Sequence, residues 1–167
     1  MAKHYSICWT DDELTIHTPD DVPSLSVEKR GASGALGQLF SRRFVVLDQQ
    51  GKELFQVLNG NSGTYPRASL IVNGREELVL TAGGSNFHTM CNVTGSPCSF
   101  LGDPFSKSFE VTLSGASICS VDVTRGGGKA MYTLAASDDA HLLPALSTVA
   151  TLAVFCGRII PCAGPEN

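Results

Sequence analysis

The stretch Leu142-Leu143-Pro144-Ala145-Leu146-Ser147-Thr148-Val149-Ala150-Thr151-Leu152-Ala153-Val154-Phe155 constrains this chain more than any other. It carries no charge, and its apolar residues fall on every side of a helical wheel. A helix of that kind must be enclosed, in protein or in lipid. Length separates the two. About 14 residues at about 1.5 Å rise span roughly 21 Å, whereas a bilayer core of roughly 30 Å takes about 20 residues. Asp138 and Asp139 ahead of the run and Arg158 behind it match the charge preference of a helix dipole. Ser137 or one of the aspartates supplies the N-cap. Pro144 fits only the first turn, so the helix starts within residues 139–143. Enclosing Leu142, Leu143, Leu146, Val149, Leu152, Val154 and Phe155 gains roughly 10–20 kcal/mol gross. A central core helix is expected, and the rest of the chain must build its enclosure.

That remainder reads as strands. From Tyr5 to Tyr132, β-prone runs alternate with turn residues about every 8–12 positions, the spacing of an all-β domain. The expected strands are 5–9, 14–18, 25–29, 44–47, 53–58, 68–72, 77–81, 86–93, 98–101, 109–113, 118–123 and 131–135. Two hairpins stand out. Asp48-Gln49-Gln50-Gly51 opens with a side-chain acceptor and ends on a glycine, and Asn73-Gly74 is the strongest short hairpin signal. Gly31-Ala32-Ser33-Gly34-Ala35-Leu36-Gly37 is read as a surface loop, since about 30 residues ahead of it cannot form a core alone. About twelve strands and one all-apolar helix have one economical arrangement, a closed antiparallel barrel wrapped around the buried C-terminal helix. A sandwich with the helix on one face is the alternative.

A chain of 167 residues makes one domain, with a core over about 5–160 and a loose tail at 161–167. Hydrophobic residues at 43% and charged residues at 17% suit a globular protein, and a net charge of −4 gives no basis for a nucleic-acid partner. Met1-Ala2-Lys3-His4 opens on no apolar leader, so the expected location is cytoplasmic, peripheral at membranes or nuclear. Cys8, Cys91, Cys98, Cys119, Cys156 and Cys162 are then expected to be reduced and mostly buried, and Asn92-Val93-Thr94 is a chance glycosylation match.

The segment from Phe44 to Val57 carries Phe44, Val46, Asp48, Gly51, Phe55 and Val57 in the order F-x-V-x-D-x-x-G-x-x-x-F-x-V. It resembles the corresponding hairpin of LURP-one-related proteins. Tyr132-Thr133-Leu134 followed by Asp139, Leu142 and Leu143 is similar to that family's C-terminal strand and helix, and the likeness spans about residues 14–155. It implies membership of the tubby-like superfamily, with tubby C-terminal domains and phospholipid scramblases, and a twelve-stranded barrel around a central helix. Within that superfamily tubby domains bind phosphoinositides and scramblases act at membranes, so the resemblance also implies work at a lipid surface.

No catalytic constellation is visible. His4, His17, His88 and His141 sit in no nucleophile or metal pattern, and His88, Cys91 and Cys98 lack the paired spacing of a zinc site. Arg125-Gly126-Gly127-Gly128-Lys129-Ala130 mimics a phosphate loop. Val123 stands where the first glycine belongs and Ala130 where the hydroxyl belongs, so the stretch reads as a hairpin turn. The paired aspartates at 11–12, 20–21 and 138–139 lack the alternation of a calcium loop. No metal or cofactor is expected. The remaining candidates are basic. Lys29 and Arg30, Arg42 and Arg43, Arg67 and Arg75 lie at or near strand ends, where guanidinium forks could converge on an anionic lipid headgroup. The plainer reading is a solvated rim. The expected function is a non-enzymatic domain that binds an anionic lipid or a protein partner through its surface. A small-molecule carrier with an open barrel interior is the alternative, and an enzyme is the third class.

Overall fold

The computed structural model describes residues 4–10, 13–19, 24–31, 42–62, 65–82 and 91–159. The expected loop at 32–37, the aspartate pairs at 11–12 and 20–21, His88 and the tail at 161–167 lie outside the described residues. Twelve strands precede the helix. They are β1 (His4–Thr10), β2 (Glu13–His17), β3 (Ser26–Gly31), β4 (Arg42–Leu47), β5 (Glu53–Ser62), β6 (Tyr65–Val72), β7 (Arg75–Ala82), β8 (Cys91–Thr94), β9 (Cys98–Leu101), β10 (Ser108–Leu113), β11 (Ala116–Gly126) and β12 (Lys129–Ala136). The helix α1 runs over Leu142–Ile159.

The hairpins form as their residues dictate. Asp48 Oδ1 accepts from the amides of Gln50 and Lys52, each at 2.9 Å, and Gly51 takes φ +83°. Asn73 and Gly74 sit at φ +52° and +77°, a two-residue turn whose twist matches that of the flanking strands.

The strands do not close into a barrel, contrary to the pattern-based expectation. They form two open six-stranded antiparallel sheets, ordered β2-β1-β12-β11-β10-β9 and β3-β4-β5-β6-β7-β8. Closure would need a backbone ladder at both seams. At one seam, β8 and β9 are consecutive in the chain yet pair into different sheets. The link between them is Gly95-Ser96-Pro97, in which Gly95 turns the chain at φ +84° and Pro97 has no N–H to donate. At the other seam, β2 meets β3 through side chains, with Lys29 Nζ at 3.0 Å from Glu13 Oε1. The sandwich alternative, with the helix outside, does not describe the molecule either. The helix touches β5, β6 and β7 of one sheet and β1, β9, β10, β11 and β12 of the other, so it lies between them.

Every residue of the helix from Ala145 to Cys156 is buried, against Phe44, Phe55, Leu70 and Leu80 of one sheet and Ile7, Val121, Tyr132 and Leu134 of the other. A one-turn 3-10 segment, Asp139–His141, leads in. The Asp138 carboxylate caps it by accepting from the His141 amide at 3.0 Å. Two buried hydroxyls are satisfied within the helix, Ser147 on the Pro144 carbonyl at 3.1 Å and Thr151 on the Ser147 carbonyl at 2.8 Å.

The helix is longer than its uncharged run. It has 18 residues, roughly 27 Å at about 1.5 Å each. By length and composition it could cross a membrane. What distinguishes it here is that its apolar sides face protein on both flanks.

The two ends of the molecule differ. At the C-terminal end of α1, Trp9 and Phe44 meet edge to face across the sheets at 5.6 Å between ring centres, and the Trp9 indole lies against Gly157. At the N-terminal end no aromatic pair bridges the sheets among the described residues, and the space between them stays partly open.

Candidate functional site

Strand alternation sorts the six basic candidates. On the sheet β3-β4-β5-β6-β7-β8, Phe44, Phe55, Val57, Ala68, Leu70, Leu78 and Leu80 face the helix. Residues one position away face outward. Arg30 and Arg43 are direct cross-strand partners on that outer face, with Arg43 opposite Leu58, Leu58 opposite Ser69 and Gly60 opposite Arg67. Arg30, Arg43 and Arg67 therefore share one surface. Lys29 and Arg42 belong to the other side. Arg75 lies at the far end of the sheet beside the Asn73-Gly74 turn, five positions beyond Arg67 along β6 and so roughly 16 Å away.

Several of these charges are already held. Arg30 binds Glu28 at 2.6 Å, Lys29 binds Glu13, and Arg67 Nη2 reaches both oxygens of Glu76 at 3.0 and 2.9 Å. Such exposed pairs are worth about 0–1 kcal/mol each and exchange readily for a better anion. Arg43 and Arg67 each keep a buried Nε that donates to nothing among the described residues, and no ion pair holds Arg43 among them. Beside it, Leu58, Gly60, Arg67, Ser69 and Glu76 line a hollow of about 160 Å³. Gly60 leaves its floor open, because a Cβ there would meet nothing within 4 Å.

The mimic of a phosphate loop is a hairpin. Gly127 and Gly128 turn β11 into β12 at φ +62° and +81°. Arg125 points inward, donating to the Phe105 carbonyl at 3.2 Å and to the Tyr132 hydroxyl at 3.5 Å, with its guanidinium 5.9 Å from the Tyr132 ring centre. No group of three or more metal-ligating side chains occurs among the described residues.

Two interior groups titrate abnormally. Burial drives the Tyr132 hydroxyl well above its usual range. The Cys156 thiol beside it adds to the rise, and Arg125 opposes it. Burial also pushes the Cys119 thiol up to about 11 from 9.0, against a weaker opposing hydrogen bond from the Ala135 backbone. Each group keeps its proton in the folded chain at a pH where the unfolded chain has lost it. Their contribution to stability is therefore whole below about pH 9 and fades as pH rises through about 9–11, with Tyr132 extending the loss further. Urea midpoints taken from about pH 8 to about pH 11 should fall steadily. A flat profile would show that both groups ionise as freely in the fold as outside it.

The second hollow was not expected from sequence. A cleft of about 250 Å³ opens between the sheets at the N-terminal end of α1. Its walls are Leu54 and Phe55 of β5, Leu70 of β6, Leu113 of β10, and Leu143 and Pro144 of the helix. Glu77 and Ser147 are among the polar residues of this lining. Leu143 remains 41% exposed, high for a large apolar side chain.

Bulges shape this end. The pairing of β4 with β5 skips Leu54, that of β6 with β7 skips Glu77, and that of β10 with β11 skips Ile118. An extra residue re-aims its side chain and bends the strand. Two of the three extra residues, Leu54 and Glu77, line the cleft. A faint signal was available, since Leu54-Phe55, Glu76-Glu77 and Ile118-Cys119 each place two like residues together where strict alternation would separate them. No family model, curated protein or solved structure matches the chain.

Proposed function

We propose that this chain is a non-enzymatic, cytoplasmic binding domain that engages the phosphate of an anionic membrane lipid through the outer face of the sheet containing β4, β5 and β6. The observation that carries the reading is Arg43. Its buried Nε has no acceptor among the described residues, as is also true of Arg67; it is the cross-strand partner of Arg30, and through its partner Leu58 it adjoins the hollow bordered by Arg67. A buried donor without a partner carries a desolvation cost of about 1–3 kcal/mol that an incoming acceptor removes. Planar guanidinium forks also match phosphate oxygens two at a time. Glu28 and Glu76 now hold Arg30 and Arg67 through exposed pairs, which a multiply charged headgroup would displace. The likeness of the Phe44–Val57 hairpin to LURP-one-related proteins supports the same direction, because it implies a relation to lipid-binding domains.

Co-sedimentation with vesicles of phosphatidylcholine alone, and of phosphatidylcholine with a phosphoinositide, tests the reading. Binding is expected only to the second, weakening with salt. Arg43→Gln should reduce it about fivefold or more, since one basic residue at an anionic surface is worth about 1 kcal/mol. Equal and negligible sedimentation with both compositions would remove the lipid and leave a protein partner as the occupant of this face.

A further inference from the structure

We infer that the cleft at the N-terminal end of α1 is a second, separate site, which takes a small cationic amphiphile: an alkyl- or arylammonium whose apolar body fills the cleft and whose nitrogen pairs with Glu77. The inference does not rest on the lipid reading, whose residues lie on the outer face of one sheet. Size comes first. The cleft offers about 250 Å³, whereas a dry apolar cavity of about 150 Å³ is enough to admit benzene. A body somewhat larger than one ring, or a chain of several carbons, fits. The walls are mainly aliphatic and aromatic carbon, so water gains few hydrogen bonds there and its displacement by an apolar body is favourable.

Charge comes next. Glu77 is half-buried in the lining, and its side chain forms no hydrogen bond or ion pair among the described residues. Its neighbour Glu76 turns the other way, to Arg67. The bulge separates the two, because the residue skipped in the pairing of β6 with β7 is Glu77. A carboxylate set beside apolar walls attracts a cation more strongly than one in open water. The start of the helix could have favoured an anion instead, through its free amides. Here the lead-in turn is already answered by the Asp138 carboxylate, and Pro144 contributes no N–H. The cleft therefore selects positive charge.

Titration of the full chain with octylammonium, octanoate and octanol, followed by amide chemical shifts, distinguishes the outcomes. Octylammonium should bind about tenfold or more tightly than octanoate, the size expected for a charge-assisted contact. Its shifts should cluster at Leu54, Leu70, Glu77 and Leu143. Glu77→Gln should erase the preference for the amine while leaving octanol affinity unchanged. Saturating octylammonium should also slow alkylation of Cys98, a buried free thiol lining the same cleft. Octanoate binding as tightly as the amine, or no binding of any of the three, overturns the inference on the wild-type chain alone. A Glu77→Gln chain that keeps the amine preference overturns it equally.

Discussion

A chain carrying aspartate in place of Val149 is expected to be insoluble or unfolded, and one ending before Asp139 is expected to lose its fold. Val149 is fully enclosed, as are Ala150 and Leu152 beside it, and the helix that carries them contacts both sheets. Aspartate there loses the valine's contacts and puts a carboxylate where no cation waits among the described residues. A buried carboxyl without a partner costs several kcal/mol whether it stays charged or takes up a proton. Total stability for a domain of this size is about 5–15 kcal/mol. Leu146→Ala gives the graded comparison. Leu146 is 1% exposed, and truncating such a side chain costs about 2–5 kcal/mol according to how far the cavity collapses. Truncation is more severe still, because neither sheet closes on itself and the helix is what the two inner faces share. Differential scanning calorimetry and amide dispersion provide the check. A truncated chain that still melts cooperatively would mean that the sheets hold together without the helix.

Gly157→Ala should destabilise the protein by about 1–3 kcal/mol or more, the usual cost of overpacking. The sign is informative, because alanine for glycine inside an ordinary helix stabilises by about 1 kcal/mol. Gly157 lies in α1 against Trp9, and a methyl group there would overlap the Nε1, Cε2 and Cδ1 atoms of the indole. The ring has little room to move: Trp9 is 3% exposed and packs edge to face on Phe44. A double-mutant cycle isolates the contact. With Trp9→Leu already in place, the alanine should cost little or even stabilise, giving a coupling of at least about 1 kcal/mol between the two positions. Should Gly157→Ala raise the melting temperature in the wild-type background, the close approach of helix and indole would be refuted.

Much of this architecture was legible residue by residue. The uncharged run at 142–155 called for enclosure because an all-apolar helix has no face to offer water, and 145–156 are buried. Asp48, Gly51, Asn73 and Gly74 marked turns because their side chains or their tolerance of positive φ act over two to four residues. Asp138 could be proposed as one of the possible caps for the same reason. These interactions are local, so the chain alone specifies them.

Three things were decided only in three dimensions. Closure was one. Periodicity reports which strands exist and which way their side chains alternate, but it does not say whether edge strands meet. Pro97 and Gly95 divert β8 and β9 into different sheets, and a side-chain pair stands in for a ladder between β2 and β3. The grouping of the basic residues was another. Lys29 and Arg30, like Arg42 and Arg43, are neighbours in sequence and so point to opposite faces of a strand, while Arg30, Arg43 and Arg67, distant in sequence, are brought together by register. Last is the cleft. Its walls come from β5, β6, β10 and α1, and Glu77 of its lining is the residue that a bulge leaves unpaired. A one-residue slip in pairing leaves almost no mark on composition or period, yet it falls on Glu77, which lines the cleft.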